Sequence, residues 1–241
     1  MNKDEKVFKD ICILLNQHNI NFWICHGTLL GIIRENRLLP WDHDIDFAVW
    51  DSEVSRELII DIFENAGYQR EVVFGDMDCL HFEGKDKKID VSFYKIDNDI
   101  AFIKWVAPSE GAIMKACIDC AQVMCMNYEI KKFDLAIGGF KKFIHISLLK
   151  ISLILKNLLT KKFKMRIYNS IVGRLNYIGY SYPVGLMKFK EISYNNFMIR
   201  VPVEATKCLE ITYGKGWTLA KKDFVWYEDA ENLLNLKDGQ Y

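Results

Sequence analysis

Asp44 and Asp46 flank Ile45 where the run Leu-Leu-Pro-Trp-Asp-His-Asp-Ile-Asp-Phe-Ala-Val-Trp (38–50) turns apolar. Side chains two apart on a strand share a face, so both carboxylates converge while Ile45 and Phe47 enter the core. Two like charges held together call for a cation between them. Hard oxygen ligands of this kind suit Mg²⁺, with Mn²⁺ as its substitute, completed by water and phosphate oxygens. A solvated Asp pair in a turn is the plainer reading, but a turn would not run on into Phe-Ala-Val-Trp. A third acid, Asp90, lies in Lys-Ile-Asp-Val-Ser-Phe-Tyr (88–94). With Ile89, Val91 and Phe93 buried, Asp90 and Ser92 share the other face. A lone strand acid usually faces solvent; beside a strand carrying two acids it becomes a third metal ligand, or the base that takes a proton from an attacking hydroxyl.

Upstream stands Gly27-Thr28-Leu29-Leu30-Gly31-Ile32-Ile33-Arg34. A Gly-Thr pair between a strand and a helix offers backbone N–H groups and a hydroxyl to a phosphate. Arg34, two turns on, is placed to hold the same anion. The pair is not a P-loop, which would end in Gly-Lys-Ser/Thr. Trp41 is a candidate for stacking on a base or an ammonium group, or else a lid on the core. His43 donates to a phosphate or faces solvent, and Asp42 is expected to orient His43 or Arg34.

The elements that must position these residues are legible from periodicity. Val7, Phe8, Ile11, Leu14 and Leu15 give a helix over 4–18. A short strand at 22–25 precedes a helix from Thr28, its expected N-cap, to Glu35. A strand at 45–50 leads to a helix capped by Asp51-Ser52 and stopped at Gly67. Strands follow at 70–74, 79–83, 88–94 and 101–106, with Gly84-Lys85-Asp86 as a turn. Near the end, 192–201 reads as a strand pair turning at Asn195-Asn196, and 204–213 as a helix ended by Gly214. The expected map is a catalytic core over 1–106 and a mostly helical portion over 107–241, closed by the strand–helix segment and packed with the core as one unit.

Of the 241 residues, 32 are basic and 32 acidic, giving no net charge, which argues against nucleic-acid binding through bulk charge. Half the chain is hydrophobic with four prolines, enough for a sizeable core. Seven scattered cysteines and an N-terminus without a secretory pattern point to a reduced, cytoplasmic chain. Cys117, Cys120 and Cys125 invite a zinc reading, with His145 as a distant fourth ligand. However, 114–126 is rich in Ala, Ile, Val and Met and reads as a buried helix. The apolar stretch 143–159, cut by Lys150 and Lys156, is too interrupted to span a bilayer. With the basic run that follows, 143–166 is either a surface helix packed on its own domain through Ile144, Leu148, Ile151, Leu155 and Leu158, or a helix lying on an anionic membrane at the inner face.

Strand, Gly-Thr, helix, Asp-x-Asp on a strand and a later Asp together resemble the nucleotidyltransferase fold. That implies an α+β class: a mixed sheet with flanking helices, plus the helical C-terminal half. The finer resemblance is to the LicD/fukutin group, marked by Gly-Thr-Leu-Leu-Gly, an Arg, then Pro-Trp-Asp-x-Asp-hydrophobic-Asp. This sequence supplies Gly27–Gly31, Arg34 and Pro40-Trp41-Asp42-His43-Asp44-Ile45-Asp46 in order. Val201-Pro202, Leu209, Tyr213-Gly214 and Trp217 resemble the group's closing segment more loosely. His26 and His43 depart from the pattern without removing a metal ligand. The resemblance implies metal-dependent transfer of a phosphorylated alcohol, such as phosphocholine or ribitol phosphate, from a CDP-linked donor to a hydroxyl of a surface glycan or its precursor, with release of CMP. Asp44, Asp46 and Asp90 would hold the metal. Gly27, Thr28, Arg34, Trp41, Asp42 and His43 would bind substrate. Nucleotidyl transfer from an NTP with release of pyrophosphate is the alternative, and a non-catalytic nucleotide-binding module a further one.

Overall fold

Asn2 opens the first helix with a reciprocal cap: its side chain accepts from the Glu5 N–H while Glu5 accepts from the Asn2 N–H. The structure, a computed structural model, describes residues 2–76, 78–84, 87–108, 111–126, 139–221 and 223–236. Helix α1 (Lys3–Gln17) buries Phe8, Ile11, Cys12 and Leu15, the stripe its 3.6-residue spacing requires. Strand β1 (Phe22–Ile24), helix α2 (His26–Glu35) and strand β2 (Asp44–Trp50) follow. Helix α2 begins at His26, two residues before the expected Thr28 cap, because the Thr28 hydroxyl is spent on β2 instead. Helix α3 (Arg56–Asn65) is capped by Ser55, not by Asp51-Ser52. Strands β3 (Gln69–Glu71), β4 (Cys79–Glu83), β5 (Lys88–Asp97) and β6 (Ile100–Val106) complete the first half. In the expected turn before β5, Lys85 and Asp86 lie outside the described residues.

After 106 come helices α4 (Ala112–Cys125), α5 (Gly139–Leu158) and α6 (Lys161–Val172). They are followed by strand β7 (Tyr177–Pro183), the hairpin β8 (Phe189–Tyr194) and β9 (Phe197–Pro202), helix α7 (Ala205–Tyr213), the short α8 (Trp226–Asp229) and strand β10 (Leu233–Leu236). Asn195 and Asn196 turn the hairpin, both at positive φ as a tight primed turn demands.

The main sheet has eight strands, in the order β1-β2-β5-β6-β7-β10, with β4 also on β5 and β3 on β4. It is mixed: β2 and β5 run parallel, while β1–β2, β4–β5 and β5–β6 are antiparallel. Parallel register sets Ile45 against Ile89, Asp46 against Asp90 and Phe47 against Val91. On one face Ile45, Phe47, Val49, Ile89, Val91 and Phe93 join Phe8, Ile59 and Phe63 in the larger core. The opposite face carries Ala48 and Tyr94, packed with Trp23, Ile103, Tyr180 and Tyr182. The acids therefore share the second face, as strand alternation requires.

The chain divides into one compact unit of Met1–Trp105 with Ile178–Leu236, and another of Val106–Tyr177. The portion 107–241, expected to pack as one unit with the core, is divided between the two units. Its residues 177–236 supply β7 and β10 to the main sheet. Strand β7 escapes a reading of apolar alternation because Ile178, Tyr180 and Tyr182 alternate with Gly179, Ser181 and Pro183, a strand built largely on tyrosine. A Cβ on Gly179 would lie 2.1 Å from the Ile103 carbonyl oxygen, so glycine is what lets β7 lie against β6.

Candidate active site

Thr28 and Asp46 are tied by reciprocal bonds. The Asp46 N–H donates to Thr28 Oγ1 at 2.8 Å, and the Thr28 N–H and hydroxyl donate to Asp46 Oδ2 at 3.1 and 3.3 Å. This pins the first turn of α2 to the start of β2 and fixes the Asp46 carboxylate on a helix N-terminus, where negative charge is favoured. Gly27 is what allows the approach: a Cβ there would lie 2.1 Å from Asp42 Oδ2 and 3.5 Å from Asp46 Oδ2. His26, one residue earlier, takes a positive φ of 45°.

Asp42, Asp44 and Asp46 form one cluster, each offering an oxygen within 4.8 Å of the others. Burial pushes Asp46 well above the usual carboxylate range, and Asp44, Asp42 and Asp90 add to it. Burial, then the Asp44 carboxyl hydrogen-bonded to it, pushes Asp42 up to about 7. Three carboxylates this close keep a proton among them unless a cation takes its place. The oxygen-only donor set fits a hard divalent ion such as Mg²⁺. Lys87, 8% exposed, donates from Nζ to the Asp42 carbonyl and lies 3.4 Å from Asp4, placing a buried cation beside the cluster.

Asp90 joins a different group. His81 on β4, its register partner, meets Asp90 Oδ1 through Nδ1 at 2.9 Å and Asp76 Oδ2 through Nε2 at 3.1 Å. With a carboxylate at each ring nitrogen, His81 is held as imidazolium. Burial opposes the charge, but the two acids outweigh it and raise the ring above its ordinary value. Burial lifts Asp90 above the ordinary carboxylate range, and His81 pulls against that lift. Cys79 also lies within 4.8 Å of this pair, its thiol pushed up to about 12 by burial.

Of the expected trio, Asp44 and Asp46 join Asp42, while Asp90 is the register partner of Asp46 on β5 and acts electrostatically on it. Asp42, read as an orienting residue, belongs to the cluster with Asp44 and Asp46, and Asp90 is bound by a histidine that sequence reasoning missed. A lone histidine in Cys-Leu-His-Phe carries no signal until β4 is known to pair with β5. Lys87 was missed as well, its only trace being the doubled lysine before Ile89.

Arg34 is committed elsewhere. Its Nε and Nη2 donate to Glu35 Oε1 at 3.2 and 2.8 Å, and Nη1 donates to the Trp217 carbonyl at 3.3 Å. Trp41 is 53% exposed, which removes the reading as a lid on the core. His43 is exposed, and its backbone N–H donates to Asp42 Oδ1 at 3.1 Å. The ring nitrogens of His26 are buried with no hydrogen-bond partner, amid Tyr94, Trp105 and Tyr180. Burial lowers its pKa to about 4, against the pull of Asp44, so the ring is neutral near pH 7.

A cavity of about 470 Å³ lined by Trp50, Asp51, Tyr94 and Lys95 sits at the far ends of β2 and β5, away from the acids. Cys117, Cys120 and Cys125 lie on α4, which is buried only toward its C-terminal end, Cys117 being exposed. Among the described residues no metal-sized cluster includes them.

Residues 19–110 match the family described as LicD/FKTN/FKRP, nucleotidyltransferase domain. An uncharacterised protein of Rickettsia typhi is 31% identical over 107 residues, 40% of this chain and 34% of its own length. The ribitol-5-phosphate transferase FKTN of Homo sapiens is 32% identical over 89 residues, 35% of this chain and 19% of its own. This chain therefore matches about a third or less of these relatives' lengths. Among solved structures, ANT(2″)-Ia in complex with adenylyl-2″-tobramycin aligns with 72% of this chain and 99% of its own, at 14% identity and a TM-score of 0.35.

Proposed function

We propose, from the match of residues 19–110 to the LicD/FKTN/FKRP nucleotidyltransferase domain, that the chain transfers a phosphorylated alcohol from a CDP-linked donor to a glycan hydroxyl, releasing CMP. The observation that carries the proposal is the cluster of Asp42, Asp44 and Asp46 beside the Gly27-Thr28 turn, with Asp90 on the adjacent parallel strand.

In this reading Asp42, Asp44 and Asp46 would hold the divalent ion. When bound, Mg²⁺ neutralises charge on the donor's diphosphate and on the departing CMP. The chain does the positioning. Thr28 fixes Asp46 through three hydrogen bonds, so its carboxylate needs no reorganisation as charge shifts. Gly27, lacking a Cβ, lets the Asp42 carboxylate lie against the first turn of α2 beside Asp46. Asp90, raised by burial and oriented by His81, accepts the proton of the acceptor hydroxyl. The hydroxyl oxygen bonds to the phosphorus carrying the alcohol, and the bond from that phosphorus to the CMP oxygen breaks, its electron pair leaving with CMP. Transfer of this kind rests on positioning and electrostatics and needs no covalent enzyme intermediate. Arg34 helps only indirectly, bracing the end of α2 against the Trp217 carbonyl.

The test is product analysis: CDP-ribitol, CDP-choline and CDP-glycerol are each incubated with Mg²⁺ and glycan extract, and CTP in parallel. CMP from one CDP-alcohol, dependent on the extract, supports the reading. Pyrophosphate from CTP with no CMP from any CDP-alcohol overturns it in favour of nucleotidyl transfer.

A further inference from the structure

Of the two readings the sequence leaves open for α5, packing through Ile144, Leu148, Ile151, Leu155 and Leu158 or lying on an anionic membrane, the first does not describe the helix, which exposes those residues. Among the described side chains of α5 the buried ones are His145, Leu149 and Ser152, with His145 Nε2 3.0 Å from Asp119 Oδ2 on α4. Phe143, Ile144, Ile151, Ile154, Leu155 and Leu158 are 37% to 73% exposed. At 100° per residue these six fall within an arc of about 120°, a stripe about 22 Å long. Single exposed apolar residues need no explanation, but a continuous stripe does.

The surroundings identify what fits it. From 135 to 177 the sequence contains nine Lys and Arg and no Asp or Glu, in a chain with no net charge. Lys150 borders the stripe. Thr160 caps α6 immediately after α5, and that helix exposes Lys161, Lys162 and Arg166 with Phe163 and Met165 among them. No carboxylate pairs with these basic residues among the described residues, and no described helix is long and apolar enough to cross a membrane. A second copy of the chain would bring the same acid-free surface against itself, like charge on like charge. We propose that α5 and the start of α6 dock in the plane of an anionic lipid bilayer, the stripe entering the acyl boundary and the lysines meeting lipid phosphates.

The test is co-sedimentation of the full chain with phosphatidylcholine vesicles, alone or with about 30% phosphatidylglycerol, at low and high salt. Wild type should pellet with the anionic vesicles, at least about tenfold less with the neutral ones, and less again at high salt. The pair Ile151→Glu/Ile154→Glu, at exposed positions that take nothing from the core, should lower partitioning at least about tenfold. Lys161→Glu/Lys162→Glu, which leaves the stripe untouched, should do so independently. Equal pelleting with neutral vesicles, no pelleting, or pelleting indifferent to both pairs overturns the proposal. So does a dimer, seen by light scattering without lipid, that Ile151→Glu/Ile154→Glu dissociates. None of these outcomes depends on the transferase reading.

Discussion

At the head of β2 the chain buries charge, and along α5 it exposes hydrocarbon. Asp46 is 8% exposed among neighbours of its own sign, whereas Leu158 is 73% exposed. Each arrangement is costly for an isolated chain. On the two proposals each becomes favourable when something else arrives, a cation and a diphosphate in one case and a lipid surface in the other. The difference lies in preorganisation. Asp46 is held by three hydrogen bonds with Thr28, Asp90 by a His81 ring that Asp76 clasps from its other side, and the two by parallel register, while the α5 stripe is an exposed apolar face. A site for chemistry must fix atoms; a face for a fluid bilayer need only present area and sign.

The predictions that sharpen or break this contrast run from the largest effect down. Asp46→Asn keeps the shape but removes the charge that Thr28 positions. It should lower kcat/KM for CMP release about a thousandfold with an unchanged circular dichroism spectrum. Vesicle pelleting by this variant should be untouched, and a loss of pelleting would merge the two regions into one device.

His81→Gln should cost about ten- to a hundredfold, chiefly in kcat, since the side chain holds Asp90 without touching substrate. A change confined to KM would contradict the positioning role. The reciprocal test is Ile151→Glu/Ile154→Glu, expected to leave turnover of soluble donor and acceptor within about twofold of wild type while vesicle binding falls.

The smallest effect is on stability. Asp42 lies at about 7 in the folded chain against an ordinary 3.8, a raised carboxylate. Its contribution is present in full below the unfolded value and is lost as pH rises toward and through 7. Between pH 4 and 8, metal-free wild type should therefore lose about 2–4 °C of melting temperature that Asp42→Asn does not, and Mg²⁺ should restore it. Parallel melting curves for the two proteins would contradict the buried cluster.

Much of this was legible in the sequence, for physical reasons. Strand alternation placed Asp44, Asp46 and Asp90 on the face away from Ile45, Phe47 and Val91, because side-chain period is fixed by the backbone. Asn195-Asn196 announced its hairpin because few other residues accept two successive positive φ angles. What was not legible depended on pairing in space. The partnership of His81 with Asp90 requires β4 to lie beside β5, and the retention of Arg34 by Glu35 and Trp217 requires two distant segments to meet. The α5 face is the clearest case. Periodicity states which residues share a side of a helix but not which side is covered, and here the smaller set of His145, Leu149 and Ser152 is the one inside. Strand β7 was hidden because tyrosines serve as its apolar face.

The claim on which the rest hangs is that Asp42, Asp44 and Asp46 hold a divalent cation, and titration with Mn²⁺ followed by electron paramagnetic resonance addresses it directly. Wild type should bind one ion per chain, more tightly as pH rises through about 7 and Asp42 gives up its proton, with Mg²⁺ competing. Asp46→Asn should weaken that binding at least about tenfold. Wild type that leaves the free-ion signal undiminished, or a variant that binds as well as wild type, would contradict the account.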